Sequence, residues 1–285
     1  MSASALQHSK RRRSFGRQLV LWGGLVFFVV WSLFPIYWML VTALKTNLAI
    51  YRDASLWPAQ PVLEQFSKAL FQTNFLMYLR NSLTVTIVVT VLAMIIGVPA
   101  AYAISRLSFR GRSLMARSVV ITYLVPASVL FIPLFQVLSE LGLIDRLEGL
   151  VVAYLIFTVP FSAWMMMGYM LDIPVELDEA ALVDGCNRLQ SLIYIMLPLV
   201  LPALAVVALF AFTNSWNEFL YAMVFIGRDS QKTFTVGLIG LARGDTFPWG
   251  VMMAAALMGS IPPVLIYIVS QKWVVSGLSA GAVKG

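Results

Sequence analysis

Six long stretches without a charged residue dominate the pattern of this chain. They cover residues 19–44, 81–104, 118–139, 149–171, 189–217 and 246–271. A membrane-spanning helix needs about 20 mostly apolar residues to cross the hydrocarbon core, so each stretch is long enough for one crossing. The fifth is longer than a crossing needs, and Pro198 predicts that its first part belongs to the preceding polar segment. Prolines inside the stretches, such as Pro126 and Pro160, indicate either packing kinks or a substrate path.

The pattern therefore predicts an all-α membrane protein with six transmembrane helices. Of the 285 residues, 60% are hydrophobic and only 12% are charged, whereas about a quarter of a soluble domain is charged. Such a chain has too few polar side chains to cover a water-exposed surface. The net charge of +7 is concentrated beside the apolar stretches, which indicates membrane orientation and not nucleic-acid binding.

Two basic clusters determine the predicted orientation. One precedes the first stretch, the other lies between the second and third, and neither contains an acid: Lys10, Arg11, Arg12, Arg13 and Arg17, then Arg106, Arg110, Arg112 and Arg117. The positive-inside rule places both clusters in the cytoplasm, and six crossings return the C-terminus to the same side. The predicted divisions are a basic N-terminal tail at 1–18, a transmembrane domain at 19–271 and a C-terminal tail at 272–285.

The residue types that catalysis needs are scarce. Cys186 is the only cysteine and His8 the only histidine, which argues against a disulfide, a cysteine-cluster metal site or a catalytic triad. The dipeptide Gly-Lys of the phosphate-binding loop never occurs, so any ATP must bind another chain. No Asp, Glu, Lys, Arg or His lies near the middle of a stretch, which disfavours a secondary transporter or a membrane-embedded enzyme. We expect no enzyme activity, metal or cofactor in this chain.

The segment at 172–198 differs from the other predicted cytoplasmic loop because acids dominate it. Its five acids face a single base, the residues being Asp172, Glu176, Asp178, Glu179, Asp184 and Arg188. Pro174 can begin a helix without losing a hydrogen bond, and Gly185 can end it with a positive φ. Asn187 and Gln190 have the spacing of a capping box for a second short helix, which Pro198 closes. We predict two short helices joined by a tight turn.

The first of these helices has a small-residue pair, Ala180 and Ala181, among its acids. Such a helix either inserts into a groove on a basic partner or is simply a solvated loop helix. The segment resembles the EAA signature of permeases in binding-protein-dependent ABC importers, through Glu179-Ala180-Ala181, Gly185 and Ile195-Met196-Leu197-Pro198. The resemblance implies the type I importer fold, in which this segment is the coupling helix that docks on a separate ATPase.

The coupling residues implied by the resemblance are Glu179, Ala180, Ala181, Asp184, Gly185, Leu197 and Pro198. Glu179 would make a polar contact with the ATPase, Ala180 and Ala181 would pack against it, and Gly185 would set the turn. The implied partners are an ATPase dimer that binds ATP and Mg, a second homologous permease subunit, an extracytoplasmic solute-binding protein, and the lipid of a bacterial inner membrane.

Two further runs resemble the carbohydrate-uptake branch, in particular its maltose-permease-like second subunit. They are Trp216-Asn217-Glu218-Phe219 and the ending at 277–285. This resemblance implies a permease for a sugar or sugar-like solute, with a C-terminal tail that reaches between the ATPase subunits. Glycerol, glycerol phosphate or another small solute remain alternatives, and a secondary transporter or scaffold is a weaker one.

Four residues near the outer end of the fifth stretch are candidates for a solute path: Asn214, Trp216, Asn217 and Glu218. Amide, aromatic and carboxylate groups bind sugar hydroxyls and stack on sugar rings, but Trp is equally typical of the membrane interface and Glu218 of a solvated helix end. The long external segments at 45–80 and 222–248 are either the docking surface of the binding protein or plain connections.

Overall fold

The structure is a computed structural model that describes the backbone of residues 3–242 and 247–282 and the side chains of residues 18, 20–242 and 247–273. Within these ranges the regular elements are helices, and no strand is present. The packing divides the chain into two units, Met1–Gln72 with Thr246–Met258 and Thr73–Asp245 with Gly259–Gly285.

The first unit contains helices α1 (Ala3–Ala43), α2 (Asn47–Arg52) and α3 (Glu64–Phe71). The connection after α1 is fixed by the buried ammonium of Lys45, which donates to the backbone oxygens of Asp53 at 2.6 Å and Ser55 at 2.9 Å. The buried amide of Gln65 donates to the backbone oxygen of Lys45 at 3.1 Å. Most of the predicted connection at 45–80 therefore has an ordered internal structure.

The second unit is built on α4 (Phe75–Arg106) and α7 (Leu147–Leu171). The two helices approach closely at Gly97, where an added Cβ would lie 3.1 Å from the Cβ of Ser162, so only a small residue fits there. The remaining helices are α5 (Arg112–Leu124), α6 (Ala127–Glu140), α8 (Val175–Val183), α9 (Arg188–Ser191), a π-helix (Leu192–Met196), α10 (Leu197–Leu199), α11 (Leu201–Asn217), α12 (Leu220–Phe225), a short 3₁₀ turn (Asp229–Gln231) and α13 (Phe234–Ile239). Helix α14 (Trp249–Ala282) begins in the first unit and continues in the second.

Two apolar clusters form the core of the second unit. One gathers Tyr154, Tyr221 and Phe225 from α7 and α12. The other joins Tyr102 of α4 and Met170 of α7 to Met196, which belongs to the predicted coupling segment at 172–198. This second cluster supports the loop from within the same unit.

The helices confirm the predicted membrane protein. Four are long and apolar enough to cross a bilayer, Val20–Ala43, Phe75–Arg106, Leu147–Leu171 and Trp249–Trp273. Two helix pairs complete a set of six if each pair is one crossing: Arg112–Leu124 with Ala127–Glu140, bent by 98°, and Arg188–Leu199 with Leu201–Asn217, bent by 85°. The first bend falls at Val125, whose extended backbone (ψ 123°) is the conformation that a following proline favours.

One predicted boundary differs from the structure. The helix at 188–199 runs through Pro198, and the break falls two residues later at Val200. The π-helix before Pro198 widens the turn, and the missing N–H is tolerated because it lies early in α10. The predicted tails at 1–18 and 272–285 are continuous in backbone with α1, which starts at Ala3, and with α14, which continues to Ala282 without a proline after Pro263. Residues 283–285 of the predicted tail and 243–246 of the predicted external segment lie outside the described residues.

Candidate functional site

Helix α8 has the ends that the sequence predicts. Pro174 is its N-cap, and Gly185 follows its C-terminus with a φ of +92°, a conformation that glycine adopts without a side-chain clash. The Gly185 N–H donates to the oxygen of Leu182 at 3.1 Å and the Cys186 N–H donates to that of Ala181 at 3.0 Å. These two bonds form a Schellman motif, which closes the turn after α8.

The second short helix begins with the predicted capping box. The Gln190 N–H donates to the side-chain oxygen of Asn187 at 2.9 Å, and the Asn187 N–H donates to the side-chain oxygen of Gln190 at 2.8 Å. Both ends of the turn between α8 and α9 are therefore fixed by local bonds, which satisfy groups that a helix leaves unpaired at its termini.

The predicted coupling residues separate into two sets. Glu179, Ala180, Asp184, Gly185 and Pro198 are exposed, whereas Ala181 is buried and Leu197 is half-buried. Among the described side chains, Glu179 forms no ion pair. Glu179 and Ala180 are thus accessible to a partner. Ala181 faces the interior of its own chain, so its side chain is closed to a protein that approaches from solvent.

Asp178 occupies the buried side of α8, with 2% of its side chain exposed. Its Oδ1 accepts hydrogen bonds from the hydroxyl of Tyr102 in α4, at 2.8 Å, and from the hydroxyl of Ser191 in α9. Its Oδ2 pairs with the guanidinium of Arg188 at 3.2 Å. The carboxylate therefore joins α8 to both α9 and α4. Buried charges require such partners.

The sequence reasoning missed this role of Asp178. Asp178 and Ala181 lie three residues apart and share one face of α8, so burial of Ala181 would have placed Asp178 on the inner face as well. The assignment of both alanines to a partner hid this signal. Tyr102 and Ser191 carried no separate signal, because the contacts that use them are distant in sequence.

Two arginines of the second basic cluster close helix ends beside this site. Arg106 donates to the backbone oxygens of Met170 and Ile173, each at 2.6 Å. Arg112 donates from Nε to the oxygen of Ile104 at 2.6 Å. Cations at helix C-termini bond to carbonyls that have no partner within the helix. These arginines therefore fix the ends of α4 and α7, beyond their part in orientation.

The four candidate solute-path residues do not form one open surface. The indole of Trp216 is buried and stacks on Phe212 at 5.8 Å and on Phe234 at 6.0 Å between ring centroids. Its ring faces are therefore occupied. Glu218 accepts from the N–H groups of Tyr221 at 2.9 Å and Ala222 at 3.2 Å, which makes it a cap of α12. Asn214 and Asn217 are exposed on one face of α11.

Two carboxylates hold the connections beyond α11. Asp145 has a left-handed backbone (φ 60°) and accepts from the N–H groups of Gly227 at 2.5 Å and Arg228 at 2.8 Å. The hydrogen bond from the N–H of Arg228 has the largest effect on the pKa of Asp145 and lowers it below its ordinary value, and the bond from the N–H of Gly227 lowers it further. Asp229 accepts from Lys232 at 3.0 Å and from Asn74 at 2.7 Å. Its pKa is also lowered, chiefly by the bond from Lys232.

Comparison with known proteins agrees with this arrangement. Residues 93–280, about two thirds of the chain, match the family described as the binding-protein-dependent transport system inner membrane component. This chain belongs to that family. It is therefore a multi-pass membrane permease of a transport complex and not an ATP-hydrolysing enzyme. The matched region contains α8, its turn and the bent helix at 188–217.

Similar proteins extend the family match over nearly the whole chain. An inner membrane ABC transporter permease of Escherichia coli K12, YcjP, is 38% identical over 92% of this chain and 95% of its own length. The trehalose/maltose permease MalG of Thermococcus litoralis is 35% identical over 94% of this chain and 98% of its own. A solved bacterial ABC transporter involved in alginate import superimposes with a TM-score of 0.79 at 26% identity, covering 96% of this chain and 99% of the matched one. The permease fold predicted from the sequence is confirmed.

Proposed function

We propose that this permease carries a sugar or sugar-like solute into the cell and that α8 docks on a separate ATPase. The observation that carries the docking proposal is a short helix with an exposed carboxylate, Glu179, beside an exposed small residue, Ala180. The Schellman turn at Gly185 and the capping box at Asn187 hold that surface in place. A rigid helix suits a groove on a partner because little conformational freedom is lost on docking.

The charge of the exposed surface favours a partner with cations in its groove. Glu176 and Glu179 are exposed on α8, and Asp184 is exposed at its end. Opposite charges across an interface raise the association rate and fix the orientation of docking. In this proposal the ATPase binds ATP and Mg, and its closure displaces α8. The permease converts that displacement into alternate opening of a path through the membrane.

The sugar cargo is supported by the relatives and not by residues 214–218. MalG of T. litoralis is a trehalose/maltose permease, and the similar solved structure belongs to an alginate importer. In this chain Trp216 has no free ring face for a sugar. Asn214 and Asn217 remain the proposed polar contacts along the path. Glycerol, glycerol phosphate or another small polar solute is the alternative cargo.

The remaining partners follow from the same proposal. A second homologous permease completes the membrane domain, and an extracytoplasmic solute-binding protein delivers cargo to the segments at 45–80 and 222–248. In this proposal both termini lie in the cytoplasm of a bacterial cell, an orientation that the basic clusters favour. Each of these statements is open to a direct test by purification of the complex and by labelling of the termini from one side of the membrane.

The charge reversal Glu179→Arg tests the docking proposal. We expect the ATPase to dissociate from the detergent-solubilised complex, with affinity reduced by about tenfold or more, because one favourable contact of about 1.4 kcal/mol becomes repulsive. The measurement is the amount of ATPase that co-purifies with the permease. The matched control is Glu140→Arg, since Glu140 is an exposed acid at the end of another helix, α6. Equal recovery of ATPase with Glu179→Arg and with the wild type would contradict the proposal.

The cargo is identified through the binding protein. We expect calorimetric titration of that protein with maltose, trehalose, glycerol and glycerol phosphate to give its tightest binding with a sugar. Tightest binding of glycerol phosphate would establish the alternative cargo. Neither outcome affects the docking proposal, because the titration measures the binding protein alone, whereas the proposed ATPase contact lies on α8 of the permease.

A further inference from the structure

Asp178 is, among the described side chains, the only acid that is buried. The exposed acids of α8 are available to a partner, but this one is not. Its oxygens are occupied by groups from two other helices. The placement needs a physical reason, because a carboxylate in this position loses hydration that an apolar side chain would not lose.

The connections of α8 to the rest of the chain are short but few. Three residues separate it from α7 and four separate it from α9. Both connections leave from the ends of the helix, so a force on its exposed side can turn α8 about the line that joins those ends. A third point of attachment, away from that line, removes this freedom. Asp178 supplies such a point near the middle of the helix.

The hydrogen bond between Asp178 and α4 is made by a single group, the hydroxyl of Tyr102. Tyr102 is buried in α4, and its hydroxyl donates to Asp178 at 2.8 Å. Close to the same end of α4, Arg106 donates to backbone oxygens at the end of α7. Helices α4 and α7 are also in close contact at Gly97. A force that reaches Tyr102 therefore acts on both helices together.

We propose that Asp178 is a positioning residue that locks α8 to α4 through Tyr102, so that a displacement of α8 moves α4 and α7 as one body. This inference rests on the proposed docking of α8 on an ATPase. The bonds to Ser191 and Arg188 hold the second short helix against α8. The bond to Tyr102 transmits the displacement into the membrane helices.

Tyr102→Phe is the sharpest variant. It removes one hydroxyl and leaves the aromatic ring in the core, and Asp178 keeps its bonds to Ser191 and Arg188. Ser191→Ala is the matched control, because it removes one hydroxyl from the same carboxylate and leaves the bond from Tyr102 to Asp178 in place. If the bonds to Asp178 served stability alone, the two variants would behave alike.

The measurement is the distance between spin labels on α8 and α4 in the complete transporter. The labels are attached at Leu177→Cys and Ile87→Cys, both exposed positions, with Cys186→Ser removing the native thiol. Leu177 lies about 200° around α8 from Glu179, so the label points away from the docking residue. Pulsed electron-paramagnetic resonance records the distance without nucleotide and with MgATP and vanadate, in the presence of the ATPase and binding protein.

We expect the wild type and Ser191→Ala to keep one distance in both states, because α8 and α4 move together. In Tyr102→Phe the distance shifts and its distribution broadens when nucleotide is trapped. Asp178→Ala does the same, and Asp178→Asn restores the constant distance because it keeps an oxygen for Tyr102. A constant distance in Tyr102→Phe with the ATPase still bound would overturn this inference alone. Absence of any ATPase from the purified wild-type complex would overturn the proposed docking as well.

Discussion

Carboxylates hold the connecting segments together near both ends of α11. The carboxylates at one end are more exposed to water than the carboxylate at the other. On the side of α8, Asp178 has 2% of its side chain exposed. At the other end, Asp145, in the connection before α7, is 29% exposed, and Asp229, in the segment that follows α11, is 50% exposed. Water competes for the bonds of exposed carboxylates but not for those of a buried one. The structure therefore has one end built for rigid attachment and another whose polar links are individually weak.

Loss of the Asp178 carboxylate tests this contrast with the largest expected effect. Asp178→Ala leaves two hydroxyls and a guanidinium without their acceptor, so we expect the permease to lose about 2–3 kcal/mol of stability. Thermal unfolding of the purified complex, followed by tryptophan fluorescence, measures the loss. The control Glu176→Ala changes an exposed acid on the same helix and should cost less than about 0.5 kcal/mol. Equal stability of the two variants would contradict the claim that the buried acid stabilises the permease more than the exposed acid does.

Gly185→Ala has the next largest effect, because an alanine at a φ of +92° carries a strain of about 1–2 kcal/mol. We expect a lower unfolding temperature and weaker ATPase binding, since the turn that orients α8 is deformed. Gly168→Ala is the control. An added Cβ at Gly168 meets no atom within 4 Å, and this residue lies inside α7. That substitution should leave stability unchanged or raise it slightly. If Gly185→Ala and Gly168→Ala had the same stability, the strain expected of an alanine at position 185 would be contradicted.

Acidification gives the smallest effect and acts on the other end of α11. The pKa values of Asp145 and Asp229 are lowered from an ordinary value of 3.8. Their bonds therefore contribute stability above that pH and lose it as the pH falls through the lowered values. We expect these two groups to leave the unfolding temperature nearly constant between pH 7 and pH 5. Below pH 4 the unfolding temperature should decrease as the two carboxylates become protonated. The variant Asp229→Asn should show a smaller fall than the wild type, and an identical fall would contradict the role of Asp229.

Much of the fold was predictable because apolar length and charge asymmetry are local properties of the sequence. The apolar stretches, the glycine turn at 185 and the capping box at 187 all depend on neighbouring residues. The structure confirms the turn and the capping box, and it gives four spanning helices, or six if each bent pair is one crossing. The bend at Val200 was displaced by two residues because a proline early in a short helix can continue it. The sequence indicates that a proline perturbs a helix, but neighbouring turns decide on which side the break falls.

The site was less predictable because its inner contacts are distant in sequence. Tyr102 and Asp178 are 76 residues apart, and no pattern in either segment indicates the other. Trp216 was a plausible sugar contact by residue type, but Phe234 from a later helix covers it. Ala181 was assigned to the exposed face with Ala180, although adjacent helix positions lie about 100° apart. Tertiary packing assigned these residues to the interior.

The contact between α8 and an ATPase is the central claim, and site-directed photo-crosslinking tests it most directly. A crosslinker attached at Ala180→Cys, in a Cys186→Ser background, probes the exposed side of α8, and one at Met223→Cys probes α12, where Met223 is also exposed. We expect capture of the ATPase from position 180, with a yield that changes when MgATP is added, and none from position 223. Capture from position 223 but not from position 180 would contradict it.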